Sequence, residues 1–171
     1  RVDGQDRAAD FVTVDLNSLL YKYELDIAYI LETVFDGRLD NHSAADWRAR
    51  AAGRKQRILK YLWNPDQHLF FDYYLPGKRR SRYISATTFY PLWACRPDRP
   101  ETKILNAQQA RPLIAAALSH LEAPGGIPAG ARGSLNQYGD PNHPRQWDWP
   151  NGWAPHQMLA WQGLRNYGYD T

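Results

Sequence analysis

The sequence predicts an all-α fold in two helical layers, broken by one short β-hairpin. Helices apolar around much of their circumference, near Asp15, Ala86 and Pro150, alternate with helices near Ala44 and Thr102 that carry a single apolar stripe. A helix apolar on several sides is packed on more than one, whereas a single stripe leaves the other face in water. The alternation therefore describes an inner row of helices backed by an outer row. Strand character is concentrated in Leu69 to Tyr74 and Arg80 to Ile84, which flank the turn sequence Leu75-Pro76-Gly77-Lys78 and so predict a hairpin within 69–84. Residues 1–171 are read as one domain without an internal boundary.

The elements follow in order. Arg1 to Thr13 has no apolar period and reads as a loop. From Asp15 to Phe35, Leu16, Leu19, Leu20, Tyr23, Ile27, Ile30, Leu31 and Val34 recur at helical spacing, which predicts the first inner helix. Gly37 ends it, and Asn41-His42-Ser43 opens an outer helix running to Leu62, with Trp47, Ala51, Ile58 and Leu62 on one face. Asn64-Pro65-Asp66 is a stop and turn before the hairpin. Ala86 to Ala94 is apolar all round, and Arg96 to Pro100 breaks the chain before an amphipathic helix from Thr102 to Leu121, with a kink or restart expected at Pro112. Ile127 to Arg145 has no hydrophobic period and reads as a loop of about twenty residues, a length that usually serves function. Pro150 is expected in the first turn of the last helix.

Composition narrows the classes. The 171 residues include seven Trp and eleven Tyr and carry a formal charge of +3, which fits a packed globular chain and not a disordered one. The basic run Arg48 to Lys60 lies on the polar side of a helix, so neither nucleic acid nor membrane is expected as a partner. Cys95 is the single cysteine. It can form no intrachain disulfide, and with no neighbouring His it reads as buried filler. No metal spacing and no cofactor fingerprint is seen, and Asn41-His42-Ser43 is only a formal glycosylation acceptor.

The most distinctive stretch is Arg145 to Gln157, R-Q-W-D-W-P-N-G-W-A-P-H-Q. Three Trp with Asp, Asn and Gln are too aromatic for an ordinary loop and too polar for a core. A sugar is one ligand that asks for this mixture, because its C–H faces stack on indoles and its hydroxyls need carboxylate and amide partners. The candidate substrate-binding residues are Gln146, Trp147, Asp148, Asn151 and Trp153. The alternative is structural, with Asp148 or Asn151 capping the following helix and the tryptophans packing. His143 and His156 bracket the stretch without a partner Ser or Cys, so nucleophilic catalysis is not indicated.

Q-W-D-x-P-x-G-W-A-P resembles the C-terminal signature of the trehalases, the glycosidases that hydrolyse α,α-trehalose to two glucoses. Further matches follow in the family's order at Val12 to Ala28, Lys60 to Trp63, Phe70 to Tyr74, Ala86 to Trp93 and Pro124 to Ile127. The chain is most similar to the neutral, fungal-type members. The resemblance implies an (α/α)6 barrel of which this chain supplies about half, trehalose and glucose as ligands, no cofactor, a cytoplasmic location, and the remainder of the same barrel as partner. Trehalases are inverting enzymes, which need two carboxyl groups about 6.5–9.5 Å apart. By family spacing the general acid is expected upstream of Arg1 and the general base downstream of Thr171, so the chain itself is expected to carry no catalytic residue and to be inactive alone. Asp148, Asp140, Glu24 and Asp26 are poor substitutes, since no second carboxylate stands at the right spacing. A trehalase-descended protein that binds sugar or regulates without catalysis is the alternative, and a tryptophan patch for a protein partner is a third.

Overall fold

A computed structural model describes residues 8–134 and 145–169. After the β1 strand (Phe11–Val12) comes α1 (Val14–Val34), then the β2 (Arg38–Leu39) and β3 (His42–Ser43) pair and α2 (Ala44–Arg57), which continues as a wider π-type turn through Leu62. The strands β4 (Trp63–Asn64), β5 (Leu69–Phe70), β6 (Tyr73–Tyr74) and β7 (Arg79–Arg80) follow. A 3-10 turn at Ala86–Phe89 leads into the short α3 (Tyr90–Trp93), and α4 (Ala107–Leu121) and α5 (Ala154–Asn166) complete the helices among the described residues.

The helix α1 forms because Val14, Tyr21, Leu25, Ala28 and Leu31 share a buried face. Its N-cap Thr13 makes no side-chain cap bond. The cap comes instead from across the fold, where Asp72 Oδ1 accepts the Val14 N–H at 2.8 Å. The outer α2 packs on α1 through Ala51 and Ile58, and Arg54 clamps it there by donating to both oxygens of Glu24, at 2.9 and 2.7 Å. Glu24 is 7% exposed. A carboxylate that deep requires a paired cation, which explains an acid inside an otherwise apolar stripe.

The inner row is α1, α3 and α5. Gly163 lets α5 approach α3 closely, since a Cβ there would lie 3.0 Å from both Leu92 Cβ and the Trp93 nitrogen. Behind this row α4 buries Ala110, Leu113, Ile114, Ala117 and Leu121, an i, i+3, i+4, i+7 stripe. The core between the layers centres on Phe70, Phe71, Phe89, Leu92 and Leu113.

Several expected boundaries move, each for a visible reason. The hairpin falls inside 69–84, but only β6 and β7 pair in it, and β1 joins as a third strand with Phe11 opposite Tyr74. Leu69 and Phe70 pair instead with Asn64 and Trp63. The helix expected from Thr102 begins at Ala107, because Asn106 Oδ1 accepts the Gln109 N–H at 2.9 Å while Gln109 Oε1 accepts the Asn106 N–H at 3.2 Å, a capping box. Thr102 closes the preceding loop, accepting from Arg96 N–H at 2.9 Å. Pro112 neither breaks nor restarts α4; the carbonyl it leaves unpaired belongs to exposed Gln108, where water can reach it. The last helix starts at Ala154 with Pro155 in its first turn, and Pro150 lies in the turn before it.

Candidate functional site

The first turns of α1, α3 and α5 converge at one end of the inner row, and the aromatic stretch is folded over them. Residues 145–151 form a turn braced by its own polar groups. Asp148 Oδ2 accepts the Arg145 N–H at 2.7 Å, and Asn151 Nδ2 donates to the Arg145 carbonyl at 3.0 Å. The Trp153 indole N–H donates to the Gln146 carbonyl at 2.7 Å. Neither Asp148 nor Asn151 caps α5, whose N-cap Trp153 makes no side-chain cap bond. The capping alternative therefore does not hold; the two polar side chains hold the turn instead.

The turn is docked by neighbouring loops. Backbone of 127–131 lies between the 84–86 segment and the turn, with Ala129 N–H donating to Asn151 O at 2.8 Å and Ala86 N–H donating to Ala129 O at 3.0 Å. Gln157 of α5 grips Ile127 from both sides, accepting its N–H at 2.8 Å and donating to its carbonyl. Gly126, at φ +110°, allows this, since a Cβ would sit 2.6 Å from Gln157 Oε1. Tyr83 fixes the far side, its hydroxyl donating to Trp147 O at 3.0 Å with Asp148 Oδ1 at 3.4 Å. Burial, then the Asp148 charge, pushes the Tyr83 hydroxyl pKa well up, so it stays a donor.

What this scaffold presents is a pair of stacked indoles. Trp147 and Trp153 lie 4.8 Å apart at 30° and are 51% and 36% exposed. Beneath Trp147 the buried His156 ring stands edge-on at 5.6 Å, and its Nδ1 is 3.0 Å from the Tyr90 hydroxyl of α3. Burial lowers the His156 pKa, and Asp15 at the start of α1 opposes the shift. Gln146 is exposed beside the indoles. The expected residues are thus brought together in one turn, with Gln146, Trp147, Asn151 and Trp153 exposed and Asp148 half-buried. Asp140 and His143 lie outside the described residues.

Sequence reasoning had no means of finding Tyr83, which lies 64 residues from Trp147, or Asp15, Asp72 and Tyr90. Burial, against the Val14 hydrogen bond and with Asp15 adding repulsion, pushes the Asp72 carboxyl up to about 6. The raised value means the charged form is disfavoured in the folded chain, so the contribution of Asp72 to stability is full below pH 3.8 and is lost as pH rises through about 6. Asp72→Asn keeps an acceptor for Val14 and removes the charge. It is expected to raise stability at pH 7 by on the order of 1–3 kcal/mol and to leave it little changed at pH 4, measured by denaturant titration at both.

A half-ring of paired helices with an aromatic platform at the converging inner ends defines a segment of a helical-barrel protein. The family model described as Trehalase matches residues 4–171, and the chain belongs to the trehalase family. It is 43% identical over 166 residues to a probable trehalase of Eremothecium gossypii, covering 94% of this chain and 21% of that protein. It is 43% identical over 169 residues to a cytosolic neutral trehalase of Saccharomyces cerevisiae, covering 95% and 21%. The solved neutral trehalase Nth1 of Saccharomyces cerevisiae superposes with a TM-score of 0.80 at 41% identity, over 94% of this chain and 28% of that one. A GH63 mannosylglycerate hydrolase of Thermus thermophilus superposes at 0.71 with 17% identity, over 92% and 35%, a likeness of fold. These neighbours are (α/α)6 barrels, and this chain is a fragment of that fold, spanning about a fifth of the length of the curated relatives it matches. No helix among the described residues is long and apolar enough to cross a membrane.

Proposed function

We propose that the chain forms the sugar-stacking wall of an α,α-trehalase, within a longer polypeptide that completes the barrel and supplies the general acid and base. The single observation that carries this reading is the Q-W-D-W-P-N-G-W turn itself, which folds into a braced platform carrying two stacked, partly exposed indoles. Asp148, whose Oδ2 accepts the Arg145 N–H and whose Oδ1 lies 3.4 Å from the Tyr83 hydroxyl, acts as a brace and not as a proton donor. Hydrolysis by inversion then leaves one glucose first as the β-anomer and the other as the α-anomer, since only the attacked carbon is inverted.

The test is glucose release from α,α-trehalose by the longer polypeptide, with anomers followed by proton NMR. Two α-anomers formed first, or no release at all, would remove the reading. Trp147→Ala in that protein is expected to raise KM for trehalose roughly 10- to 100-fold, the loss of about 1–3 kcal/mol of stacking. Its melting temperature should change little, because the indole is half exposed.

A further inference from the structure

We propose that Tyr90 and His156 form a positioning pair that aims the Trp147 indole at the sugar, touching no substrate themselves. The proposal rests on the trehalase reading of the platform. Trp147 is held by rings on two sides: Trp153 stacks on it, and His156 meets it edge-on at 72°. Trp153 is fixed in turn by its bond to the Gln146 carbonyl. His156 has no such tether in its own turn. It occupies the first turn of α5, is 6% exposed, and its direction is set by the Tyr90 hydroxyl at 3.0 Å, reached from α3.

We assign the phenol hydroxyl as the donor to Nδ1, which leaves the proton of the neutral ring on Nε2. Burial disfavours the charged ring against the indole, and the pair links α3, α5 and the substrate platform. The groups facing His156 are few. The 3-10 turn and α3 contribute no ionisable side chain other than Tyr90, and among the described residues Asp15 of α1 is the charge that acts on the ring. Protonating His156 places a cation in a buried site under Trp147, which Asp15 only partly offsets, so the platform is expected to loosen as pH falls through a midpoint below the ordinary histidine value of 6.5.

Three variants of the intact polypeptide carrying this chain test the pair. Tyr90→Phe removes one oxygen and keeps the ring; it is expected to raise KM for trehalose about tenfold with kcat within about twofold, the signature of weakened binding. His156→Leu should do the same, and His156→Gln less, because its amide oxygen can still accept from Tyr90. The second readout needs no substrate: a protonated imidazole against an indole quenches fluorescence, so acid titration should show a step that His156→Gln abolishes. Tyr90→Phe should move that step to higher pH, since the neutral ring loses its donor. An unchanged step in Tyr90→Phe, or a fall in kcat at constant KM, overturns the proposal. If the unaltered protein releases no glucose, the trehalase reading fails, while the fluorescence step still decides whether Tyr90 controls His156 beneath Trp147.

Discussion

Gly130→Ala is expected to lower kcat/KM for trehalose in the intact protein by roughly 10- to 100-fold, and to cost about 1–3 kcal/mol of stability. The Cβ would lie 2.0 Å from the Tyr83 hydroxyl oxygen and 2.6 Å from Cζ, far inside contact distance. Two escapes exist. Moving the 127–131 backbone would break its bonds to Ala86 and Asn151, and moving the ring would withdraw Tyr83 from Trp147 and Asp148. Either one unfastens the platform. Tyr83→Phe, which loses only the hydroxyl bonds, should cost about 1 kcal/mol and less activity. Gly125→Ala is the control, since nothing lies within 4 Å of its Cβ and its neighbour's positive φ is not shared; its expected effect is within about 0.5 kcal/mol. Full activity in Gly130→Ala would show that the Tyr83 anchor is dispensable.

The contrast between Trp147 and Tyr83 shows where the sequence was informative. Helical periodicity placed α1 and α2 nearly to the residue, because α1 is apolar at helical spacing on more than one side and α2 with its continuation to Leu62 carries one apolar stripe. Contiguity placed the tryptophans, since a ligand surface made by one turn is written in one stretch. What holds that turn comes from elsewhere: Tyr83 from the segment after β7, Gly130 from a loop without period, and His156 oriented by Tyr90, 66 residues away. Those contacts depend on long-range packing, and no local pattern announces them. The misplaced helix starts have a local cause. The starts expected at Thr102 and Pro150 move because the boundaries are set by the Asn106–Gln109 box and by a 145–151 turn that satisfies its own polar groups.

Expressed alone, residues 1–171 are expected to self-associate, and substituting Leu16, Tyr23 and Ile30 with Gln is expected to relieve it. These residues and Val34 recur at intervals of seven, seven and four along α1, on the side away from its buried face, and are 47–66% exposed. On α5, Met158 and Trp161 are likewise 66% and 53% exposed. The two inner helices thus have one apolar face covered within the chain and another left open, and monomeric proteins rarely expose so continuous an apolar surface. Burying each side chain contributes about 1.5–3 kcal/mol, and several together rival the roughly 5–15 kcal/mol by which a domain is stable. The same triple substitution should therefore act with opposite sign in two settings. In the isolated chain it should sharpen sedimentation toward monomer without lowering the unfolding midpoint, because nothing covers those side chains there. Within the longer polypeptide it should cost several kcal/mol, since the helices that complete the barrel would pack on that face. An unaltered stability of the longer protein would mean that the stripe faces water and that the barrel closes elsewhere.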